Sequence, residues 1–209
     1  MKRLIIVGAS GFGRELAAWL SQIPEESRDW AVYGFLDDRS DALDGYDCPV
    51  PIVGEISTYV PRPGDCFAMG IGLPEPKLEI ARSLTERGAE FVTAVHPSVI
   101  MGDRVSLGSG TIVCPYAVLT CDIRIGEFVT INLHASVGHD AVIGPGCTLS
   151  SHSDVTGYAK LGLGVFLGSH ASILPNAQVG DFAKVGAGSV VIKRVKAGTT
   201  VFGVPGKTI

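Results

Sequence analysis

From Val99 to Gly206, an apolar residue recurs at every sixth position of the chain, and a glycine often follows it. An α-helix would give a period of about 3.6 residues and a half-buried strand a period of about two, so neither explains the spacing. A short, fixed period is the signature of a repeat architecture, and the parallel β-helix is the class with so short a unit. The pattern therefore predicts a β-helix over the second half of the chain, with an unbroken register. The predicted inward residues are Met101, Leu107, Val113, Leu119, Ile125, Ile131, Val137, Ile143, Leu149, Val155, Leu161, Leu167, Ile173, Val179, Val185 and Val191, before the pattern weakens at Ala197.

The repeat also predicts which residues lie above one another. Each hexad supplies one short strand and one turn, so three hexads close a triangular coil of eighteen residues, and about six coils stack at the strand spacing of about 4.8 Å. Gly157 should then lie directly over His139. A second column should contain, from bottom to top, Tyr116, His134, His152, His170 and Gly188. Small residues expected to pack at the corners are Ala135, Ala141, Ala159, Ala171, Ala177 and Ala183.

Before the repeat, short apolar runs alternate with amphipathic stretches. The predicted strands cover Lys2–Val7, Ala31–Leu36, Cys66–Ile71 and Phe91–Val95, and the predicted helices run from the first glycine turn to about Ile23 and over Glu75–Arg87. Asp41–Pro63, rich in Pro, Gly and Asp, is expected to form irregular loops. Alternating strands and helices are typical of a small parallel sheet. The predicted fold class is thus mixed, with a small Rossmann-like α/β domain over residues 1–95 and a parallel β-helix over residues 96–209.

The turn after the first predicted strand carries candidate anion-binding chemistry. Its glycines allow close backbone approach, and the following helix N-terminus offers free N–H groups to an anion such as a phosphate. Asp37 and Asp38 end the next strand, where they could hold a ribose or a base. The alternative is a tight strand–helix turn without a ligand. A dinucleotide site is disfavoured because the domain ends after about four strands. The candidate residues of the turn are Gly8, Ser10, Gly11, Phe12 and Gly13.

Composition narrows the class of protein. The net charge of −4 and the lack of basic runs argue against a nucleic-acid partner. No apolar stretch approaches the roughly 20 residues of a membrane span, and the N-terminal run is too short for a signal peptide, so no membrane insertion is expected. The five cysteines form no C-x-x-C pair, which favours reduced thiols in a cytoplasmic protein over disulfides or a zinc site.

Seven segments, in order along nearly the whole chain, resemble one family. The chain is similar to the left-handed β-helix acyltransferases, and more narrowly to the bacterial sugar acyltransferases of the sialic acid O-acetyltransferase and UDP-amino-sugar N-acetyltransferase group. The matching segments are VGASGFGRE (Val7–Glu15), FLDD (Phe35–Asp38), HPSVI (His96–Ile100), INLHASVGHDAVIG (Ile131–Gly144), FLGSHASILPN (Phe166–Asn176), VGAGSVV (Val185–Val191) and GVPGK (Gly203–Lys207).

The resemblance implies a left-handed β-helix, a homotrimer with active sites between neighbouring chains, a nucleotide-linked sugar held by the N-terminal domain, and acetyl-CoA held by the β-helix, without a metal. The family's catalytic histidine maps onto His139, the expected general base, which suits imidazole because it exchanges protons near neutral pH. The neighbouring carboxylate maps onto Asp140, which would orient the ring.

Further roles follow from the same resemblance. Backbone amides at Gly157, Ser169 and Ala187 fall where family members contact acetyl-CoA, and the Gly157 N–H could polarise the thioester carbonyl. Lys207 is expected to meet a CoA phosphate. His134 is the member of its column expected to touch substrate, while the column as a whole could be a surface ladder, a trimer contact or part of the cleft.

Two positions depart from the pattern of the UDP-amino-sugar enzymes. Phe12 stands where those enzymes carry a histidine in the glycine turn, and Thr148 stands where they can carry a second histidine, nine residues after the catalytic one. Thr148 is a candidate substrate-binding residue, which can still form hydrogen bonds but cannot carry charge. Both departures concern the identity of the nucleotide sugar and leave acyl transfer unaffected.

The predicted function is acetyl-CoA-dependent N-acetylation of a nucleotide-linked amino-deoxy sugar for surface polysaccharide or glycoprotein synthesis. An O-acetyltransferase acting on a sugar hydroxyl, such as that of a sialic acid, is the alternative and would use the same residues. A more remote alternative is a non-catalytic or metal-dependent hexapeptide-repeat protein. A zinc enzyme would need several histidine ligands meeting at a chain interface.

Overall fold

The computed structural model describes residues 1–209 and shows a small α/β unit followed by a three-sided parallel β-helix. The predicted fold class is confirmed. The α/β unit has a four-stranded parallel sheet in the order β3-β2-β1-β4. Its strands are β1 (Lys2–Val7), β2 (Trp30–Leu36), β3 (Ile52–Gly54) and β4 (Asp65–Met69), and its helices are α1 (Gly11–Leu20), α2 (Pro74–Glu86) and a short 3₁₀ turn (Glu25–Ser27).

The central strand and its helix follow from the apolar pattern. Leu4, Ile5, Ile6 and Val7 are fully buried, as expected for a parallel strand covered on both faces. Helix α1 buries Gly13, Leu16, Ala17 and Leu20, the spacing of one helical face.

Two predictions in this unit were wrong. The stretch Asp41–Pro63 contains strand β3, which is only three half-buried residues long and therefore gives no periodic signal. Phe91–Val95 is not one strand, because Phe91 forms a single bridge to Phe67 while Ala94–Val95 pairs with the β-helix.

Three faces of short strands make up the β-helix. The first face consists of Ala94–Val95, Ile112–Val113, Thr130–Ile131, Thr148–Leu149, Phe166–Leu167, Lys184–Val185 and Thr200–Phe202, with the antiparallel strand Lys207–Thr208 at its end. The second face consists of Ile100–Met101, Val118–Leu119, Ser136–Val137, Asp154–Val155, Ser172–Ile173 and Val190–Val191. The third face consists of Ser106–Leu107, Arg124–Ile125, Val142–Ile143, Lys160–Leu161, Gln178–Val179 and Arg194–Val195.

The inward residues from Val113 to Val191 are buried as predicted and form most of a 27-residue core cluster. The two ends differ from the prediction. Met101 is 47% exposed, because the first coil has no coil beneath it. At the other end the register is broken, since Val179 pairs with Val195 rather than Ala197, so the last coil is two residues shorter. Val195 and Val201 are buried and Ala197 is exposed.

The α/β unit packs against the first face of the β-helix. One core cluster combines Leu16 and Leu20 of α1 with Ala94 and Ile112 of that face. A second brings Phe128 of the β-helix against Phe91, with ring centroids 5.0 Å apart. The two units therefore share apolar cores, and α2 comes to lie along the coils.

Candidate active site

His139 and Asp140 lie at the corner between the second and third faces. Nδ1 of His139 is 2.9 Å from Oδ2 of Asp140, and about half of each side chain is exposed. Asp140 has a left-handed backbone (φ 59°), and its N–H donates to the carbonyl of Cys121 one coil below. This backbone bond fixes the turn that holds the carboxylate beside the ring.

Gly157 lies directly over the imidazole, which confirms the predicted column. A Cβ at this position would come within 2.7 Å of Nε2 of His139. Glycine is therefore needed here for the ring to keep its position. The N–H of Gly157 has no acceptor within the chain. The rings of Tyr158 and His139 pack in a T-shaped arrangement with centroids 5.1 Å apart.

This arrangement sets the tautomer of His139. An ionised carboxylate can only accept a hydrogen bond, so Nδ1 carries the proton that is shared with Asp140. The lone pair of the neutral ring is then on Nε2, on the side of the ring that lies against Gly157. The corner thus offers a proton acceptor and a free N–H donor side by side, which is the pairing that acyl transfer to an amine or a hydroxyl requires.

The histidine column lies at a different corner, between the first and second faces. His134, His152 and His170 stack with centroids 4.8 Å apart, and Tyr116 stacks beneath His134 at 5.1 Å. All four residues are exposed. The predicted stack is confirmed. A role for His134 in substrate binding stays a prediction.

Ser169 and Ala187, two of the three predicted acetyl-CoA contacts, also lie at this corner. They are exposed, and their N–H groups have no acceptor within the chain. Lys207 is an exposed residue of the last strand of the first face. Within one chain, these residues lie at another corner than Gly157 and His139.

The glycine turn is tightly built. Gly8 has a φ of +98°, and a Cβ on Gly13 would lie 1.9 Å from the carbonyl oxygen of Gly8. Ser10 is the N-cap of α1 but makes no side-chain capping bond, and both Ser10 and Gly11 are exposed. The first N–H groups of α1 therefore face solvent, while Phe12 packs edge-on against Trp19 at 6.4 Å.

The two aspartates after β2 are engaged in structural hydrogen bonds. Asp37 is buried and accepts from the Ala9 N–H in the glycine turn (2.9 Å) and from Arg39. Burial alone would raise the pKa of Asp37, but the hydrogen bonds from Ala9 and Arg39 outweigh it, and the pKa lies below its ordinary value. Asp38 accepts from the N–H and hydroxyl of Ser57. Nucleotide contacts by either residue stay predictions.

Sequence reasoning missed Lys77, whose side chain is completely buried. Its Nζ lies 2.7 Å from Oγ1 of Thr148, 3.1 Å from Oγ1 of Thr130 and 3.1 Å from the carbonyl oxygen of Cys147. Thr148 is buried as well, and it faces α2 rather than solvent. The signal in the sequence was the spacing of Lys77 with Ala81 and Leu84, which places it on the buried face of α2.

Neither a metal centre nor a membrane segment is found. No group of three or more His, Cys, Asp or Glu side chains is placed to hold a metal ion. Neither helix has the length and apolar character needed to cross a bilayer.

The chain is similar in sequence to one protein family and to two N-acetyltransferases. Residues 3–84 match a family described as the PglD N-terminal domain. GDP-perosamine N-acetyltransferase of Escherichia coli O157:H7 is 30% identical over 62% of this chain and 59% of its own length. UDP-N-acetylbacillosamine N-acetyltransferase of Bacillus subtilis (strain 168) is 29% identical over 54% of this chain and 51% of its own length. The match thus spans little more than half the length of each relative.

A solved structure covers the whole chain. PerB from Caulobacter crescentus, in complex with CoA and GDP-perosamine, is 27% identical with a TM-score of 0.87, and the match covers 100% of this chain and 98% of PerB. The N-terminal match and the full-length likeness agree with the resemblance seen in the sequence motifs. In both units the chain is therefore similar to the β-helix sugar acyltransferases, with a match to the PglD N-terminal domain followed by a β-helix like that of PerB.

Proposed function

We propose that this chain is an acetyl-CoA-dependent N-acetyltransferase that acts on the amino group of a nucleotide-linked 4-amino-deoxy sugar. The observation that carries the proposal is the corner geometry, in which Asp140 holds Nδ1 of His139 while Nε2 lies against Gly157. The two relatives are a GDP-perosamine N-acetyltransferase and a UDP-N-acetylbacillosamine N-acetyltransferase. The structure of PerB contains CoA and GDP-perosamine.

In the proposed reaction the neutral amine of the sugar attacks the carbonyl carbon of the acetyl-CoA thioester. Nε2 of His139 accepts a proton from the nitrogen as the C–N bond forms, and Asp140 stabilises the imidazolium through Nδ1. The Gly157 N–H donates to the carbonyl oxygen as negative charge develops there. The C–S bond then breaks, the sulfur leaves with the electron pair, and His139 returns the proton to the CoA thiolate.

We assign binding of the nucleotide's diphosphate to the glycine turn. The exposed N-terminus of α1 offers N–H groups to a diphosphate, which is the chemistry that a helix N-terminus favours. Because Phe12 replaces the histidine of the UDP-amino-sugar enzymes, the contact to phosphate at that position would come from the backbone alone. Asp37, through Ala9, keeps the turn in its shape.

The assembly that we propose is a homotrimer in the cytoplasm. Gly157 lies at one end of the second face, and Ser169 and Ala187 lie at the other, so a trimer that pairs these two corners from neighbouring chains would present both to one acetyl-CoA. This face and its corners carry exposed apolar side chains, which favour an interface. They are Ile100, Met101, Tyr116, Tyr158 and Ile192. The proposed substrates, a nucleotide sugar and acetyl-CoA, are cytoplasmic metabolites. The five cysteines are free, as is typical of proteins in that compartment.

The function is tested by acetyl transfer from acetyl-CoA to a panel of nucleotide-linked 4-amino sugars, with sialic acid as the hydroxyl acceptor in parallel. His139→Ala should lose at least about 100-fold in kcat, since a general base contributes about that much or more. Asp140→Asn should lose activity as well. Asp103→Asn changes an exposed carboxylate at the same corner, two coils below His139, and is the matched control. Full activity of His139→Ala contradicts the proposed base, and acetylation of the hydroxyl acceptor alone contradicts the amine.

The assembly is tested separately, by light scattering of the purified protein. The wild type should have three times the chain mass, and Ile100→Lys should dissociate it because a charge then enters the apolar face. Activity should fall together with the trimer, since neither corner alone completes the acetyl-CoA site. A fully active monomer would contradict the shared site.

A further inference from the structure

Lys77 has a buried amino group without a carboxylate partner. Its side chain is 0% exposed, and its three hydrogen-bond partners are two threonine hydroxyls and one backbone carbonyl. Burying a charge in this way costs free energy, and an apolar residue of similar size would fill the position without that cost. Ala81 and Leu84, on the same face of α2, show what this face otherwise contains. A lysine at this position therefore points to something other than stability.

The geometry fixes the direction of the hydrogen bonds around Lys77. The Thr148 hydroxyl lies 2.6 Å from the carbonyl oxygen of Gly72 and donates its only proton there. Thr148 must therefore accept from Lys77, and the Cys147 carbonyl can also only accept. The Thr130 hydroxyl is able to accept from an ammonium or donate to a neutral amine. The network is thus satisfied in both protonation states of Lys77.

The network joins the two functional parts of the molecule. Gly72 follows β4 at the edge of the sheet where the glycine turn lies, and a Cβ on Gly70 would come within 3.1 Å of Cα of Gly13 in that turn. Thr148 lies nine residues after His139 in the continuous wall of the β-helix. Lys77, Thr148 and Gly72 therefore connect the loop beside the glycine turn to the coils that carry the corner with His139.

We infer that Lys77 is a positioning residue whose buried amine fixes the α/β unit on the β-helix, so that the amine of a sugar held by the α/β unit is delivered to acetyl-CoA in one geometry. The inference rests on the proposed function for the meaning of that geometry. We call the contacts from α2 and the Gly70–Leu73 loop to Thr130, Cys147 and Thr148 the clamp. Apolar packing has little directional preference, whereas three directed bonds from one nitrogen fix the register of α2 on the first face.

The state of the amine bears on the strength of the clamp. Burial lowers the pKa of Lys77 to about 7, and the Cys147 thiol is the one titratable group facing it that raises the pKa. Near neutral pH the two protonation states therefore coexist, and the exchangeable Thr130 hydroxyl keeps both of them bonded.

The experiment compares Lys77→Met with Lys160→Met, which removes an exposed lysine from the third face and serves as the matched control. Hydrogen–deuterium exchange in the full-length protein should speed up by about tenfold or more over Gly70–Lys77 in Lys77→Met, while the β-helix core exchanges as before. In the acetylation assay the KM for the nucleotide sugar should rise and kcat should fall by about tenfold to 100-fold, while the KM for acetyl-CoA stays unchanged. A merely structural role would affect both substrates alike.

Unchanged exchange over Gly70–Lys77, or equal changes in both KM values, would overturn the inference. If Lys77→Met does not fold, Thr148→Val removes the bond to Gly72 and the acceptor for Lys77 without changing the side-chain volume much, and the same pattern is expected in it. If the wild type acetylates no nucleotide sugar, the proposed function fails, while the exchange experiment still decides whether the clamp exists.

Discussion

At the scale of single residues, the chemistry depends on a missing side chain as much as on those present. His139 keeps its orientation through Asp140, but the space for its ring is given by Gly157, one coil above. The backbone at Gly157 is not in the left-handed region, so its glycine is required for the contact and not for the conformation. Gly138, Gly144 and Gly168 are also outside the left-handed region, but a Cβ there would meet backbone atoms, whereas at Gly157 it would meet the ring of His139.

Gly157→Ala should therefore damage catalysis more than folding. The added Cβ would lie within 2.7 Å of Nε2, and the half-exposed ring can respond by rotating towards solvent. We expect kcat to fall by about 100-fold, because a displaced base misses the amine. The free energy of unfolding should change by less than about 1 kcal/mol. Steady-state kinetics and chemical unfolding measure the two effects, and an alanine variant with wild-type kcat would contradict the placement of the base.

Residue-level prediction from the sequence worked where a residue's position follows from the repeat, and failed where it depends on packing between units. The His134–His152–His170 column and the Gly157–His139 contact follow from counting eighteen residues. Lys77 is different, because its partners Thr130 and Thr148 are more than 50 positions away in the chain. No local pattern in the sequence reports such a contact.

At the scale of elements, two-residue strands are stable only because they stack. Each strand is too short to persist alone, but its neighbours one coil above and below supply the backbone partners. The apolar period of six predicted this arrangement, whereas the three-residue strand β3 has no period and was missed. The shortened last coil was also missed, because Val195 and Ala197 both look suitable as inward residues until the pairing is known.

The central coils should be more sensitive to substitution than the first coil. Leu149→Ala removes a fully buried side chain with coils on both sides, and we expect a loss of about 2–5 kcal/mol in the free energy of unfolding. Leu107→Ala is the same change at an inward position of the third face that is only half-buried. Its loss should be about 1 kcal/mol or less, because the Leu107 side chain buries less apolar surface on folding than Leu149 does. Chemical unfolding followed by circular dichroism tests the order, and equal losses would contradict it.

At the scale of the whole molecule, two kinds of contact hold the α/β unit on the β-helix. The β-helix is rigid through its continuous core, and the α/β unit adds shared apolar clusters along the first face. Apolar contact gives this junction stability without direction. The three hydrogen bonds of Lys77 give it direction, at a cost in stability that depends on pH.

That cost predicts a measurable pH dependence of stability. Lys77 has a folded-state pKa of about 7, against an ordinary value of 10.5, so between these values the unfolded chain binds a proton that the folded chain does not. The free energy of unfolding of the wild type, relative to Lys77→Met, should therefore increase from pH 7 towards pH 10.5, by up to about 1.4 kcal/mol per pH unit. Below pH 7 the lysine is charged in both states, and the difference should be constant. Chemical unfolding of both proteins at a series of pH values measures it, and Lys160→Met, which lacks an exposed lysine, should follow the wild type. A difference that stays flat from pH 6 to pH 10 would mean that Lys77 keeps its proton in the folded protein and titrates as an exposed lysine does.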